Sequence, residues 1–261
     1  MNWLQALILG LIQGLTEFLP ISSSGHLELG KALFNVDVEG SLLFTVVVHF
    51  ATVLSTIVVF RKEIGELFVG FFSKGHKETK LYVWKLLFSL IPILIVGLFF
   101  KDKVESLFDG NIVFVGSMLL VTALLLTISH YKKQGYRKIG FGDAFVIGIA
   151  QAVAVIPGIS RSGSTIATGM IIGNNRSELA KFSFLMVIIP IVGEMFLDLV
   201  SGELFATQIG LAPLIIGFLA AFLSGLFACK VMIKLVQKGK LIWFALYCLI
   251  IGIVAIVINF I

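Results

Sequence analysis

Two segments of this chain interrupt long apolar sequence with proline, glycine and serine, and they resemble each other. They are Leu19-Pro20-Ile21-Ser22-Ser23-Ser24-Gly25-His26 and Pro157-Gly158-Ile159-Ser160-Arg161-Ser162-Gly163-Ser164. A constant offset of 138 residues aligns Ala6, Gly10, Gln13, Ile21, Ser22, Ser24 and Gly25 with Ala144, Gly148, Gln151, Ile159, Ser160, Ser162 and Gly163. The chain therefore carries an internal repeat, and each copy is centred on polar, helix-breaking sequence. Broken backbone at membrane depth is tolerated only where protein or a water-filled cavity satisfies its free N–H and C=O groups. The two segments are accordingly expected to meet around a buried polar site.

The membrane setting follows from composition. A hydrophobic content of 58% with 13% charged residues is too apolar for a soluble domain, and the apolar runs are too many for a single anchor. The first 19 residues lack a basic leading region and a small-residue cleavage site, and they hold part of the repeat, so they read as part of the fold rather than a removable signal peptide. Cys229 and Cys248 lie inside apolar runs with no metal-ligand spacing and read as packing residues. The net charge of +5 does not indicate nucleic acid, because the basic residues cluster in short loops and form no basic face interleaved with aromatics.

Residues 4–19 and 22–34 are each too short to cross a bilayer and read as the half-helices of a re-entrant hairpin. Spanning runs are expected at about 43–60, 84–100 and 111–130. A second broken pair at 142–156 and 162–173 follows, then runs at about 180–200, 211–233 and 241–260. The expected architecture is all-α and polytopic, one integral membrane domain over 1–261 with repeats at about 1–138 and 139–261. Three crossings per repeat require the second copy to be inserted upside down. The loops 61–83, 131–141, 174–181 and 234–240 then fall on one face and carry 14 Lys and Arg, against Lys31, Lys101 and Lys103 on the other. By the positive-inside rule this places both termini outside.

Glu17 is the sharpest single residue, since an acid inside an apolar half-helix marks a functional site by default. Gln13 shares its helical face at i−4. The pair could hold a divalent cation, a proton or a structural hydrogen bond. Ser23 and His26 are i,i+3 neighbours if the second half-helix starts near Ser22; the imidazole could take the serine's proton or attack phosphorus itself. His49 is intramembrane too but belongs to no motif, whereas His76 and His130 read as loop or loop-edge residues. Arg161, between Ser160 and Ser162, offers a bidentate fork suited to phosphate, and helix N-termini add free N–H groups. The alternative is an internal ion pair from Arg161 to Glu17, compatible with exchange for substrate. Glu178 reads as a loop charge, Asp198 as a helix-end charge and Glu194 as an outlying supporting residue.

Gln13-Gly14-Leu15-Thr16-Glu17 running into Ser24-Gly25-His26, together with Pro157-Gly158-Ile159-Ser160-Arg161-Ser162-Gly163-Ser164-Thr165, resembles the two signature segments of the bacterial undecaprenyl-diphosphatase family of the bacitracin-resistance type. The resemblance covers essentially the whole chain. It implies a phosphatase of the bacterial inner membrane that acts on a polyprenyl diphosphate lipid, releases the terminal phosphate and opens toward the outer face. It carries metal or base duties onto Gln13 and Glu17 with Mg2+ or Ca2+, and nucleophile or proton-transfer duties onto Ser23 and His26. Diphosphate binding falls to Ser160, Arg161 and Thr165, with Ser22, Ser24, Gly25, Gly158 and Ser162 completing the cradle at the two tips. Two rival readings remain. A secondary transporter or flippase of a phosphate-bearing lipid would use the same inverted repeats. The lipid-phosphatase superfamily with an SR-x5-H-x3-D element does not fit, because Ala167 and Ile171 stand where its His and Asp are needed. Whether the chain works as a monomer or a homodimer is not written in the sequence.

Overall fold

Each of the two breaks divides a pair of helices too short to cross a bilayer. Helix α1 (Trp3–Phe18) and α2 (Ser23–Leu33) flank the first break, and α9 (Phe141–Val153) and α10 (Arg161–Ile171) flank the second. At 1.5 Å per residue the longest of these, with 16 residues, reaches about 24 Å, short of a roughly 30 Å hydrocarbon core. The second member of each pair starts in the same way. Ser22 accepts a hydrogen bond from the Gly25 N–H at 3.3 Å and Ser160 one from the Gly163 N–H at 3.1 Å, so both half-helices are serine-capped.

The computed structural model describes residues 1–34, 36, 42–108, 110–201 and 209–258, without the side chains at 42, 194 and 197–201. Among these residues the chain is helical with no strand. Between the broken pairs lie α3 (Leu42–Val59), α4 (Arg61–Phe72), α5 (Lys77–Ser89), α6 (Ile91–Phe99), the short α7 (Lys101–Glu105) and α8 (Ile112–Tyr131). After them come α11 (Arg176–Met186), α12 (Ile188–Ser201), α13 (Leu211–Gln237) and α14 (Ile242–Ile258). Among the described residues three stretches are long and apolar enough to cross a membrane: Lys77–Phe99, Ile112–Tyr131 and Leu211–Gln237. A fourth would be the pair Leu43–Val59 and Arg61–Phe72, bent by 74°. The chain is a multi-pass membrane protein, and large side chains such as Phe99, Leu223, Phe227 and Trp243 stand exposed on its periphery as lipid-facing groups.

The structure departs from the expected runs at three points, each for a local reason. The segment expected as loop 61–83 is largely helical, because Ile64, Leu67, Phe68 and Phe71 give α4 an apolar stripe beneath its basic start. The run 180–200 divides at Val187 into α11 and α12, where Pro190 cannot donate to the carbonyl four residues back; Pro92 causes the analogous step between α5 and α6. Lys31, counted with the cations of the outer face, is instead 4% exposed inside the last turn of α2 and paired with Glu28 at 3.3 Å.

Long helices meet through small residues. Gly10 and Gly14 of α1 lie against Gly217, Ala221 and Gly225 of α13, and Gly116 of α8 lies against Gly252 of α14, so backbones approach closely where a larger side chain would separate them. These contacts bring α13 and α14 up to the two hairpins. The free cysteines Cys229 and Cys248 are buried as packing residues, as the sequence suggested.

Gly158, at φ +95, turns the second break, and a Cβ there would fall 2.5 Å from the Val115 carbonyl oxygen. Replacing Gly158 by alanine is expected to cost about 1–3 kcal/mol and lower the melting temperature in detergent. Alanine at Gly65, on the open side of α4, is expected to leave that temperature unchanged or raised.

Candidate active site

The tips of the two hairpins touch. The Ser162 hydroxyl donates to the Leu19 carbonyl at 3.2 Å, and Gly25 and Gly158 face each other so closely that a Cβ on Gly25 would lie 3.1 Å from the Gly158 Cα. Thr122 of α8 holds the second tip from behind, donating to the Gly158 carbonyl and accepting from the Ser160 N–H, both at 3.0 Å.

Glu17 stands where the tips meet. It lies in the last turn of α1, and its residue is 8% exposed. One carboxylate oxygen, Oε2, accepts from Gln13 Nε2 at 2.8 Å and from the Ser23 hydroxyl at 2.6 Å; the other, Oε1, is ion-paired with the Arg161 guanidinium. Three of the residues singled out in the sequence, Gln13, Ser23 and Arg161, drawn from both hairpins, therefore converge on the Glu17 carboxylate. Arg161 follows the Ser160 cap as the first residue of α10, so the N-terminal end of a helix points positive charge at the same place. Thr165, one turn on, shares a 2.6 Å hydroxyl contact with Ser183 of α11.

His26 is not among Glu17's hydrogen-bond partners. Its Nδ1 lies 2.8 Å from the Ser22 carbonyl oxygen and its Nε2 lies 2.9 Å from the Tyr247 hydroxyl on α14. The histidine nearest Glu17 is His49 of α3, with Nε2 at 4.0 Å from Oε2 and Nδ1 on the Thr45 carbonyl at 2.8 Å. His49 carries no motif, and the packing of α3 against α1 and α13 brings it to Glu17. The sequence marks His49 only as an intramembrane histidine and does not single out Tyr247, Thr122 or Ser183 at all, each an ordinary residue within a helix.

The serine hydroxyls divide by use. Ser22 and Ser160 are buried caps; Ser24 and Ser162 lie 3.4 Å from those caps, oxygen to oxygen. Glu178 sits in the first turn of α11 and accepts from the Ile139 N–H at 3.3 Å, away from the tips. The side chains of Glu194 and Asp198 lie outside the described residues. A narrow cleft borders Glu17 and Arg161, lined by Thr52 and Thr56 of α3 on one wall and by Phe184 of α11, Ile191 of α12 and Val187 between them on the other. A polar, charged centre thus opens onto apolar lips.

Donor chemistry allows a cation here. Gln13 is fully buried and its Oε1 has no hydrogen-bond partner, so an amide oxygen and a carboxylate lie within one turn of α1. Hard oxygen donors suit Mg2+ or Ca2+. Among the described residues no group of three or more His, Cys, Asp or Glu forms a metal cluster.

These features define a multi-pass membrane protein whose polar site is assembled from two broken helix pairs. The chain belongs to the family described as bacitracin resistance protein BacA, which matches residues 6–254. It is 56% identical to an undecaprenyl-diphosphatase of Bacteroides fragilis over 99% of both chains, and 57% identical to one of Parabacteroides distasonis over 98% of both. A protein of the same name from Methanosphaera stadtmanae is 36% identical over 98% of both chains.

Proposed function

We infer that this chain is an undecaprenyl-diphosphatase, hydrolysing undecaprenyl diphosphate to undecaprenyl phosphate and inorganic phosphate and so recycling a lipid carrier for cell-wall synthesis. The observation that carries this reading is the Glu17 carboxylate, which holds a serine hydroxyl on one oxygen and an arginine on the other. One group is a nucleophile with its base, and the other is a phosphate ligand held ready by an internal anion. The relatives' names favour hydrolysis over the flippase reading.

In the proposed mechanism the diphosphate exchanges with Glu17 for the Arg161 guanidinium, whose fork then bridges phosphate oxygens. Glu17, released from its cation, takes the proton of Ser23, whose hydroxyl oxygen lies 2.6 Å from Oε2. The Ser23 oxygen bonds to the terminal phosphorus as the anhydride P–O bond breaks and undecaprenyl phosphate leaves. Arg161 stabilises the charge on the equatorial oxygens, and the α10 N-terminus adds its dipole. The proton that Glu17 took passes to the departing undecaprenyl phosphate; water then attacks the phosphoserine, giving a proton to Glu17, and Glu17 returns it to the Ser23 oxygen as inorganic phosphate departs. A divalent cation held by Gln13 Oε1 and Glu17 would supply further charge neutralisation at the diphosphate.

The rival nucleophile is His26. Its Nδ1 faces a carbonyl oxygen, so that nitrogen carries hydrogen, and its Nε2 is covered by Tyr247; Ser23 alone is already hydrogen-bonded to a base. Ser23→Ala is therefore expected to lower turnover by about 10²–10⁴-fold and to abolish any phosphoenzyme trapped at acid pH. A phosphohistidine, which is acid-labile and must be trapped at alkaline pH, recovered from Ser23→Ala would make His26 the nucleophile instead.

The proposed topology inverts the second repeat relative to the first, with both termini and the cleft facing the outer side of the cell membrane. The basic asymmetry of the loops supports this, with Arg61 and Lys62 at the start of α4 among the residues that make it.

A further inference from the structure

Tyr247 lies in the middle of the apolar helix α14, more than 200 residues from the first hairpin, yet its hydroxyl touches His26. The contact has two parts. The hydroxyl oxygen is 2.9 Å from Nε2, and the two rings stack with centroids 5.5 Å apart and planes 13° from parallel. On the other side of the imidazole, Nδ1 is 2.8 Å from the Ser22 carbonyl oxygen. A carbonyl can only accept, so Nδ1 carries the hydrogen and the Nε2 of a neutral ring must accept from the phenol.

The backbone supports the same arrangement. Ser22 is the one non-glycine residue with positive φ among the described residues, at φ 70 and ψ 96. A left-handed serine costs about 1–3 kcal/mol and persists only where its surroundings fix it. Here the turn aims the Ser22 carbonyl at both the backbone N–H and the ring of His26. Both ring nitrogens are therefore engaged, one by the strained turn and one by α14. Cys248, the next residue on α14, lies with its sulfur 3.7 Å from the Pro20 carbonyl, so this helix contacts the first break at two successive positions.

We propose that Tyr247 is a positioning residue for His26, its hydroxyl fixing the imidazole with Nε2 as the accepting nitrogen at the mouth of the first hairpin. The proposal rests on His26 belonging to the phosphatase site, where the ring, tied to the Ser22 carbonyl and to Tyr247, holds the first turn of α2 and with it Ser23. A plain alternative is that His26 only satisfies a phenol in an apolar setting, which would make the pair a packing device.

Three samples separate these: Tyr247→Phe, His26→Ala and the double variant, assayed for phosphate release from undecaprenyl diphosphate. One neutral hydrogen bond corresponds to about a five- to tenfold change in rate. Tyr247→Phe is expected to lower kcat by that factor with KM within about twofold, and to have no further effect in the His26→Ala background. A wild-type rate in Tyr247→Phe, or an equal loss in both backgrounds, would overturn the positioning role. A second readout does not depend on activity. In protein labelled with 15N-imidazole histidine, the Nε2 resonance of His26, identified by its loss in His26→Ala, is expected to move in Tyr247→Phe while that of Nδ1 stays. Coincident His26 spectra would refute the contact even if the protein released no phosphate, and a moved Nε2 resonance in an inactive protein would place the failure with the phosphatase reading alone.

Discussion

Replacing Glu17 with glutamine is expected to reduce phosphate release by about 10³-fold, near the upper part of the range for loss of a positioned base. The amide keeps the shape of the side chain and can still accept from Ser23, but it cannot take that proton, and it no longer neutralises Arg161. Alanine removes more. It strands a partly buried guanidinium whose side chain is 24% exposed, and breaking such a pair from one side costs up to about 3–5 kcal/mol. Glu17→Ala is thus expected to lose both activity and thermal stability, whereas Glu17→Gln loses mainly activity. Phosphate release measured beside a detergent melting curve separates the two. A glutamine variant with more than about a tenth of wild-type turnover would remove Glu17 from the base role.

The second large effect is at Arg161. Alanine there is expected to lower kcat/KM by about 10²–10³-fold, the scale seen when one preorganised charge-stabilising donor is lost. Lysine keeps the charge but not the planar fork, so Arg161→Lys is expected to recover only part of that loss. The two substitutions also act on one carboxylate. Because Glu17 and Arg161 are in contact, Glu17→Gln combined with Arg161→Ala should cost much less than the product of the single losses. Multiplicative losses would mean that the two residues serve separate sites.

The parts of this site that were legible in the sequence are those where local chemistry decides structure. Pro20, Pro157 and Gly158 break helices wherever they are placed, and serine followed three residues later by glycine starts them again at Ser22 and Ser160. Glu17 and Arg161 stood out because charge in an apolar setting is costly without a partner, and each proved to be the other's. The repeat explains the division of labour. The second copy keeps Gln151 but has Val155 in place of the acid, and it has Arg161 and Ser164 where the first copy has Ser23 and His26. One hairpin supplies the carboxylate and hydroxyl and the other supplies the cation.

The residues that escaped the sequence are those delivered by helix packing. The sequence does not single out Tyr247 and marks His49 only as an intramembrane histidine without a motif, and it is the approach of α14 to α8 and of α3 to α1 that aims them at the hairpins. Small residues such as Gly116 and Gly252 permit that approach, but nothing in their spacing says which side chain it will deliver. The pairing of His26 with Tyr247 rather than Glu17 is of the same kind. Residues 23 and 26 share a helical face, but the strained turn at Ser22 decides where the ring points.

The most direct test of the whole account is phosphate release from undecaprenyl diphosphate by purified wild-type protein in detergent, where a membrane has no two sides and transport yields no product. The account predicts one inorganic phosphate for each undecaprenyl phosphate formed, at a rate that collapses in Glu17→Gln and Arg161→Ala. A well-folded wild-type protein that binds the lipid and releases no phosphate, with or without added Mg2+ or Ca2+, would contradict it.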